Sequence, residues 1–344
     1  MRIGILTGGG DAPGLNAAIR AVVRTACDGG HHVCGIANGW AGALDGAMRP
    51  LSPADVRGIL PVGGTILGTS RTNPLKVDGG VDRVRHTLRD HDVDVLVAMG
   101  GDDTLSVART LHEAGVAVVG VPKTIDNDLS GTDFCIGFDT AVGIVTEALD
   151  RLHTTASAHH RVMVVEVMGR DTGWVATMGG LSGGADVVLV PEFPVPLGNV
   201  VERVRRRRAT GKDFSIVVVA EGVRFADSRA TVGADPGSTD PFGHVRLAER
   251  GVGEALTRHI EHETGFESRA TVLGHLQRGG SPSPVDRIWA TRLGVRAAEL
   301  AVEGCSGVVP VRRGDDVAVA PVGDLVAERR RVPRELYELT RLFG

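Results

Sequence analysis

Two acidic side chains follow two glycines in GGDDTL, residues 100–105, directly after an apolar run, Val93–Met99, that predicts a buried strand. Paired glycines let a ligand approach the main chain without a Cβ in the way. Carboxylates bind hard cations such as Mg²⁺, which accompany phosphates. We therefore expect Asp102 to bind a metal that accompanies a phosphate. Asp103 would repel a polyphosphate that it faced directly, so it either points away or excludes a ligand.

A second acidic segment, VPKTIDNDLSGTD at residues 121–133, follows another apolar run. It holds Asp126, Asp128 and Asp133 together with Lys123 and two threonines. Such a density of charge after a buried strand is costly unless a ligand or a metal compensates it. An aspartate near a magnesium-bound phosphate can accept the proton of an attacking hydroxyl group. The alternative is an Asx turn whose acids lie at the surface.

A glycine-rich segment, TGGGDAPGLN at residues 7–16, joins the first predicted strand to the first predicted helix. It matches neither the Walker A pattern nor the GxGxxG fingerprint. We expect Gly8, Gly9 and Gly10 to expose amide donors, and the helix that begins near Gly14 to add its positive end. Phosphate oxygens bind well at such a place, although glycine turns between strand and helix also form for packing reasons alone.

Arginine and histidine residues recur in loops that we place at the ends of predicted strands. The planar fork of arginine suits phosphate, and a transition state with dispersed negative charge needs several such groups. Any one of them alone would be an ordinary salt bridge or a core histidine, and only their shared position favours a phosphate site. The six residues are Arg71, Arg161, Arg170, Arg269, His275 and Arg278.

These motifs lie between short apolar runs and longer segments with helical spacing. The alternation of the two kinds of segment predicts βαβ units and a mainly parallel sheet. In such sheets ligands bind at the carboxyl ends of the strands. The predicted strands are Ile3–Leu6, Val33–Ile36, Val93–Met99, Val116–Val119, Val162–Val167, Val187–Val190, Ile216–Ala220 and Ala270–Leu273. The predicted helices are Leu15–Ala26, Leu105–Ala114, Ala141–Leu152, Val200–Arg208, Leu247–Glu263 and Pro284–Val302.

The composition is that of an α/β enzyme without a nucleic-acid or membrane partner. The 344 residues carry a net charge of −4 with 3% aromatic residues, which argues against a nucleic-acid surface or a base-stacking platform. No apolar stretch approaches the length of a membrane span, so we expect a cytoplasmic protein. The four scattered cysteines suggest neither a zinc site nor a disulfide framework.

Two further segments favour plain interpretations. The polar stretch 225–244 predicts a solvated surface loop, with a lid as the alternative. The run VRRRR at residues 204–208 predicts a solvated helix face, because the chain is acidic overall and no aromatic residues are interleaved.

Five motifs together resemble the 6-phosphofructokinases over essentially the whole chain: TGGGDAPGLNAAIR, GGDDTL, PKTIDND, VVEVMGR and RATVLGHLQRGGSP. The resemblance implies a phosphofructokinase-like α/β fold of two interlocked βαβ domains with mainly parallel sheets. Residues 1–137 and about 276–327 would form the larger, phosphoryl-donor domain. Residues from about 138 to 275 and 328–344 would form the smaller domain, which binds fructose 6-phosphate.

The resemblance also implies roles for individual residues. Asp126 matches the general base for the sugar 1-hydroxyl, with Thr124 and Asp128 around it, and Arg170 matches the residue that stabilises the transferring phosphoryl group. Asp102 matches the aspartate associated with Mg²⁺, the implied cofactor. The positions that match donor contacts are Gly9 and Arg71; those that match sugar-phosphate contacts are Met168, Gly169, Glu221, His275 and Arg278; Arg161 and Arg269 match arginines that reach the active site of a neighbouring subunit. A homodimer or homotetramer is therefore expected.

Two positions point to the donor. In ATP-dependent members the two motifs read GGDG and PGTIDND. In this chain they read GGDD and PKTIDND, which is similar to the pattern of the pyrophosphate-dependent members. Asp103 would lie where the α-phosphate of ATP passes, and like charges about 4 Å apart at an effective dielectric near 20 cost about 4 kcal/mol, close to a thousandfold. Lys123 would supply a point charge for compact pyrophosphate.

We therefore expect Mg²⁺-dependent, reversible transfer from pyrophosphate to fructose 6-phosphate. The alternatives are an ATP-dependent 6-phosphofructokinase, another sugar-phosphate or nucleoside kinase on the same scaffold, and a non-catalytic sugar-phosphate sensor. A nucleotide effector site like that of the regulated family members should be weak or absent. Arg20 and Arg24 match two of its basic residues, but His153 replaces an arginine and Ala47 lies near another such position.

Overall fold

The structure, a computed structural model, describes residues 1–225 and 250–342. The chain divides into two compact units. The first consists of Met1–Thr140 and Arg278–Arg329, and the second of Ala141–Gln277 and Arg330–Gly344. The boundaries expected from the resemblance lie close to these. The segment 226–249, which holds nearly all of the expected surface loop, lies outside the described residues.

The strands and helices follow one another in a largely alternating order. The strands are β1 (Arg2–Thr7), β2 (His32–Ile36), β3 (Met48–Leu51), β4 (Val95–Gly100), β5 (Val118–Pro122), β6 (Val162–Val167), β7 (Val187–Leu189), β8 (Ser215–Ala220), β9 (Ser268–Val272), β10 (Val308–Arg313) and β11 (Asp316–Pro321). The helices are α1 (Leu15–Asp28), α2 (Trp40–Asp45), α3 (Gly80–Asp90), α4 (Asp102–Glu113), α5 (Phe138–His159), α6 (Trp174–Ser182), α7 (Leu197–Ala209), α8 (Val252–Thr264), α9 (Pro284–Val302), α10 (Val322–Leu325) and α11 (Arg334–Leu342).

The first unit contains a seven-stranded sheet in the order β11-β10-β5-β4-β1-β2-β3. Its five inner strands are parallel, and the edge strands β3 and β11 pair antiparallel with their neighbours. Every residue of β4 and β5 is buried, as expected for strands covered on both faces. The carboxyl ends of β1, β4 and β5 therefore lie side by side, and each opens into one of the three motifs rich in glycine or acid.

Helix α1 shows how the sequence builds the core of this unit. Its buried apolar residues recur at helical spacing, as in Leu15, Ile19, Val22 and Ala26, and this face packs against α9. The two helices approach closely, because a Cβ at Gly294 would lie 2.7 Å from the carbonyl oxygen of Ala18. Helix α1 is thereby fixed directly behind the glycine-rich loop.

The second unit contains a four-stranded, wholly parallel sheet in the order β7-β8-β6-β9. Strands β6 and β8 are buried throughout and rich in valine. The α/β class with mainly parallel sheets is confirmed in both units. No helix within the described ranges is long and apolar enough to cross a membrane.

The structure contains elements that the sequence patterns did not predict and moves the start of several that they did. Helix α4 begins at Asp102 rather than at Leu105, which places both acids of the GGDD motif in its first turn. Helix α8 begins at Val252, and its predicted start, Leu247, lies outside the described residues. The unpredicted elements are β3, β10, β11, α2, α3, α6, α10 and α11.

The arginine run on α7 is more than a solvated face. Arg207 forms an ion pair of 2.7 Å with the buried Asp186, and the Arg208 guanidinium lies 4.5 Å from the centroid of the Phe266 ring. Desolvation raises the pKa of Asp186, and Arg207 opposes this shift. The prediction of a solvated face was therefore wrong for Arg207, because the run spans more than one side of the helix, whereas Arg208 is exposed.

Candidate functional site

The glycine-rich loop is tied to its surroundings by its own main chain. The amide of Gly8 donates to Met99 O at 2.9 Å, and the amide of Gly9 donates to Ser70 O at 3.3 Å. The expectation that all three glycines present their amides to a ligand was therefore wrong for these two. Gly9 adopts the left-handed region at φ +75°, which favours glycine over residues with a Cβ.

Thr104 explains two of the glycines. This buried side chain follows the GGDD acids on α4, and a Cβ at Gly8 would lie 2.5 Å from its Oγ1. A Cβ at Gly100 would lie 2.2 Å from its Cβ. The glycines at the ends of β1 and β4 are thus needed partly to make room for Thr104, which sequence reasoning passed over because threonine in a helix carries no signal of its own.

Lys123 connects the end of β5 to the glycine-rich loop. Its side chain is only 2% exposed, and Nζ donates to the carbonyl oxygens of Gly8 at 3.0 Å and Gly10 at 2.5 Å. Burial, and after it the positive charge of Arg278, lower the pKa of Lys123 from 10.5 to about 7. The predicted point charge is present beside the loop, but the loop carbonyls hold it.

Arg278 lies beside the same loop in the first unit. Its NH1 donates to Asp11 O at 3.1 Å, and a Cβ at Gly10 would lie 2.5 Å from that nitrogen. Arg71 is exposed and follows a segment that also contacts this loop, since Thr69 Oγ1 donates to Gly9 O at 2.6 Å. Arg71 follows no strand, so the prediction that it lies in a loop at the end of a strand was wrong.

Three carboxylates interact in the first unit. Asp126 is 5% exposed, and its amide donates to Thr124 Oγ1 at 3.1 Å. The pKa of Asp128 is raised to about 7, chiefly by burial and then by the like charge of Asp126, with a smaller contribution from Asp102 and opposition from Arg329. Negative charge is therefore concentrated where the ends of β4 and β5 lie together.

Asp133 belongs to a different environment. Its Oδ2 accepts from the Gly314 amide at 2.8 Å, and its own amide donates to Arg312 O at 2.9 Å. These bonds fasten the segment after Asp128 to the β10–β11 hairpin. Grouping Asp133 with the site acids was wrong, because the chain has by then turned away to the sheet edge.

The residues fit a magnesium ion that is held mainly by substrate. Among the described residues no group of three or more histidine, cysteine or acidic side chains could hold a metal by itself. Mg²⁺ usually binds one or two carboxylates together with substrate phosphates and water. Asp102, in the first turn of α4, is near enough for its charge to raise the pKa of Asp128, and it is the carboxylate that could bind such an ion.

The second unit brings together the loops that follow β6, β8 and β9. Arg170 adopts the left-handed region at φ +48°, and its amide donates to Glu221 Oε1 at 3.3 Å. A Cβ at Gly222 would lie 1.7 Å from Arg170 O. The main chain of Arg170 is thus held in an uncommon conformation by Glu221 and by the missing side chain at Gly222.

Gln277 joins two of these loops. This fully buried residue accepts from the Met168 amide at 3.3 Å and donates to Gly274 O at 3.0 Å. Met168, Gly169 and His275 are thereby placed at the carboxyl edge of the second sheet. Sequence reasoning missed Gln277, although its position inside GHLQRGG was a signal.

Arg161 and Arg269 lie at the opposite edge of that sheet. Arg161 precedes β6, Arg269 is the second residue of β9, and the two strands are parallel. Both arginines form ion pairs with Glu267, at 2.8 Å and 2.5 Å respectively. Their grouping with the carboxyl-end arginines was wrong, because the residues before a strand and after a strand lie on opposite edges.

Comparison with known proteins identifies relatives of the whole chain. A sequence model of the family described as Phosphofructokinase matches residues 2–301. The chain is 52% identical, over all of its length and 99% of the relative, to "Pyrophosphate--fructose 6-phosphate 1-phosphotransferase" of Amycolatopsis mediterranei. It is 47% identical, over 97% of both chains, to "ATP-dependent 6-phosphofructokinase 2" of Streptomyces coelicolor. The structure resembles phosphofructokinase from Pichia pastoris with a TM-score of 0.82 and 32% identity, over 95% of this chain and 35% of that one.

Proposed function

We propose that this chain, which belongs to the phosphofructokinase family, transfers a phosphoryl group from pyrophosphate to the 1-hydroxyl of fructose 6-phosphate. The products are fructose 1,6-bisphosphate and phosphate, and the reaction runs usefully in both directions. The observation that carries the choice of donor is the buried Lys123 ammonium against the glycine-rich loop, beside a helix that begins with Asp102 and Asp103. The name of the relative that is 52% identical supports the same donor.

The donor residues lie in the first unit. Arg71 and Lys123 bind the phosphates of pyrophosphate, Gly9 lets them approach the main chain because it has no side chain, and the carboxylate of Asp103 disfavours the additional phosphate and nucleoside of ATP. A lysine whose ammonium is desolvated has much to gain from an anionic ligand, because the ligand's charge offsets the cost of burial. A small doubly charged end of the donor meets this requirement without contacts to a base.

Asp126 acts as the general base. It accepts the proton of the sugar 1-hydroxyl as the oxygen attacks the terminal phosphorus, and phosphate leaves carrying the bond's electron pair. The hydroxyl of Thr124, two residues earlier, accepts a hydrogen bond from the Asp126 amide and so fixes that amide. Asp128, whose pKa is raised to about 7 by burial and by Asp126, keeps the local field negative without a full second charge near neutral pH.

Magnesium, bound by Asp102 and donor phosphates, would neutralise charge on the transferring group. Arg170 stabilises the phosphoryl oxygens in the transition state. This role requires a fixed main chain, and the contacts of the Arg170 main chain with Glu221 and Gly222 hold it in place. Met168, Gly169, Glu221, His275 and Arg278 bind fructose 6-phosphate.

Arg161 and Arg269 would complete the site of a neighbouring subunit in a homodimer or homotetramer. Their position at the amino edge of the second sheet, away from the loops after β6 and β9, supports this assignment. Mixing Arg269→Ala protein with Asp126→Ser protein under conditions of subunit exchange should restore activity, because a mixed pair contains one site with both residues intact. Activity that stays at the level of the separate variants would contradict a shared site.

The test of the proposed function is steady-state turnover of fructose 6-phosphate with pyrophosphate and with ATP. Turnover with pyrophosphate at least about a hundredfold more efficient than with ATP is expected, since part of the roughly 4 kcal/mol from Asp103 is lost to solvent screening. The Asp103→Gly, Lys123→Gly double variant should narrow that ratio. Efficient ATP use by the wild type would favour the ATP-dependent alternative, and turnover with neither donor would favour a sensor.

A further inference from the structure

Asn127 separates the two carboxylates of the TIDND segment and adopts an unusual backbone conformation. Its φ is +50°, in the left-handed region, and its side chain is 1% exposed. Asparagine enters this region more readily than most residues with a side chain, but it still does so mainly where the structure demands it. A buried left-handed residue between Asp126 and Asp128 sets the direction in which the chain leaves each of them.

The side chain of Asn127 fastens this turn to a rigid part of the first unit. Its Oδ1 accepts from the amide of Cys135 at 2.9 Å, and Cys135 is fully buried. The next residue, Ile136, donates its amide to Pro122 O at 3.1 Å and forms a parallel bridge with Lys123. The carboxylate turn is thus linked through two hydrogen bonds to the end of β5.

Asp126 is held from its other side by Thr124, whose Oγ1 accepts the Asp126 amide at 3.1 Å. Beyond Asn127, the segment is tied at Leu129 by a bridge to Arg329 and at Ser130 by a bond of 3.2 Å to Leu325 O. Asn127 is the point at which the part that carries the carboxylates joins this tethered stretch. If Asn127 lost its conformation or its hydrogen bond, Asp126 would therefore be the first residue to shift.

We infer that Asn127 is a positioning residue for phosphoryl transfer: its left-handed backbone and its hydrogen bond to Cys135 hold Asp126 in the orientation that proton abstraction requires. It touches neither substrate in this account and acts only through its neighbour. The inference rests on the proposed role of Asp126 as the base, and it does not depend on which donor is used.

Two substitutions separate the two contributions. Asn127→Gly tolerates the left-handed conformation but removes the hydrogen-bond acceptor, whereas Asn127→Ala removes the acceptor and also strains the backbone. Misplacement of a reacting group by about 1 Å costs about a hundredfold in rate. We expect Asn127→Gly to lower kcat by between about tenfold and a hundredfold while KM for pyrophosphate and for fructose 6-phosphate stays within about threefold. Asn127→Ala should lower kcat at least as far and lower Tm further.

Asp92 provides a matched control. It is also a left-handed residue of the first unit, at φ +52°, but its side chain is 88% exposed. Asp92→Gly and Asp92→Ala should leave kcat and both KM values unchanged. Rates are compared well below each variant's Tm, so that the folded fraction is the same.

The outcome is read against wild type and Asp126→Ser, measured with whichever donor the wild type uses. An active Asp126→Ser would refute the proposed base itself. If Asp126→Ser is inactive, then an Asn127→Gly variant with kcat within about twofold of wild type, or with its loss confined to KM, overturns the positioning role of Asn127. A fall in kcat with unchanged KM, absent from the Asp92 variants, supports it.

Discussion

Replacing Lys123 with methionine tests whether its buried ammonium serves the donor. The side chain is 2% exposed, and burial lowers its pKa to about 7, so about half of the molecules carry the charge at neutral pH before substrate binds. Methionine fills similar space without a charge. A charge-assisted hydrogen bond contributes about 1.5–3 kcal/mol, so Lys123→Met should lower kcat/KM for pyrophosphate by between about tenfold and about 150-fold near pH 6.5.

The pH dependence of the same quantity gives the sharper result. Pyrophosphate favours the protonated lysine, so the free enzyme must take up a proton as pH rises above the pKa of about 7. Because only about 1% of the free enzyme carries the proton at pH 9, the ratio of wild-type to Lys123→Met kcat/KM should fall from its value near pH 7 almost to one by pH 9. Taking the ratio removes the ionisation of pyrophosphate itself, which both proteins share.

The assay is initial-rate kinetics at saturating fructose 6-phosphate and varied pyrophosphate, with Lys212→Met, at an exposed lysine, as the control. Lys212→Met should follow wild type at every pH. A ratio for Lys123→Met that is large but independent of pH would mean that the ammonium stays charged throughout and that the pKa argument is wrong. A ratio near one would mean that Lys123 only braces the loop.

Three further outcomes are expected. Asp126→Ser should lower kcat by about a thousandfold, within the usual range for loss of a general base, with fructose 6-phosphate affinity by calorimetry within about threefold; a variant of near-normal rate would refute the assignment. Burial raises the pKa of Asp286 from 3.8 to about 6, so the folded state binds more protons across that window and the stability contributed by this carboxyl is lost as pH rises through 6. Wild type should accordingly lose about 2 kcal/mol of unfolding free energy relative to Asp286→Asn between about pH 4 and pH 7 in denaturant titrations, and parallel curves would contradict this. Fructose 6-phosphate saturation curves should be unchanged by ADP and phosphoenolpyruvate, because His153, at the position where the resemblance implies an effector-site arginine, is hydrogen-bonded to Gly183 O at 2.9 Å; a sigmoidal curve shifted by either compound would count against this.

The parallel α/β class could be predicted because the central strands of both sheets are apolar runs rich in valine that are buried on both faces. The elements that escaped prediction carry weaker patterns. Strand β10 contains Pro310, β3 contains Pro50, and α3 buries only Val84, Leu88 and its first glycine. Helix α6 is apolar and small-residue throughout, so it shows no helical period.

The acidic and glycine-rich motifs were found because charge beside a buried strand is visible in the sequence. What each group contacts was not visible, since it depends on segments far apart in the chain. Lys123 bonds to a carbonyl 113 residues away, and this ties the lysine expected to meet the donor to the glycine-rich loop as well. Arg161 and Arg269 were misplaced for a simpler reason, since a residue that precedes a parallel strand lies at the edge opposite to one that follows it.

The measurement that bears most directly on the account is a comparison of donors for the purified wild-type protein at equal fructose 6-phosphate and magnesium. We expect rapid formation of fructose 1,6-bisphosphate from pyrophosphate and, at equal donor concentration, a far slower rate from ATP. Brisk turnover of ATP together with no consumption of pyrophosphate would contradict it.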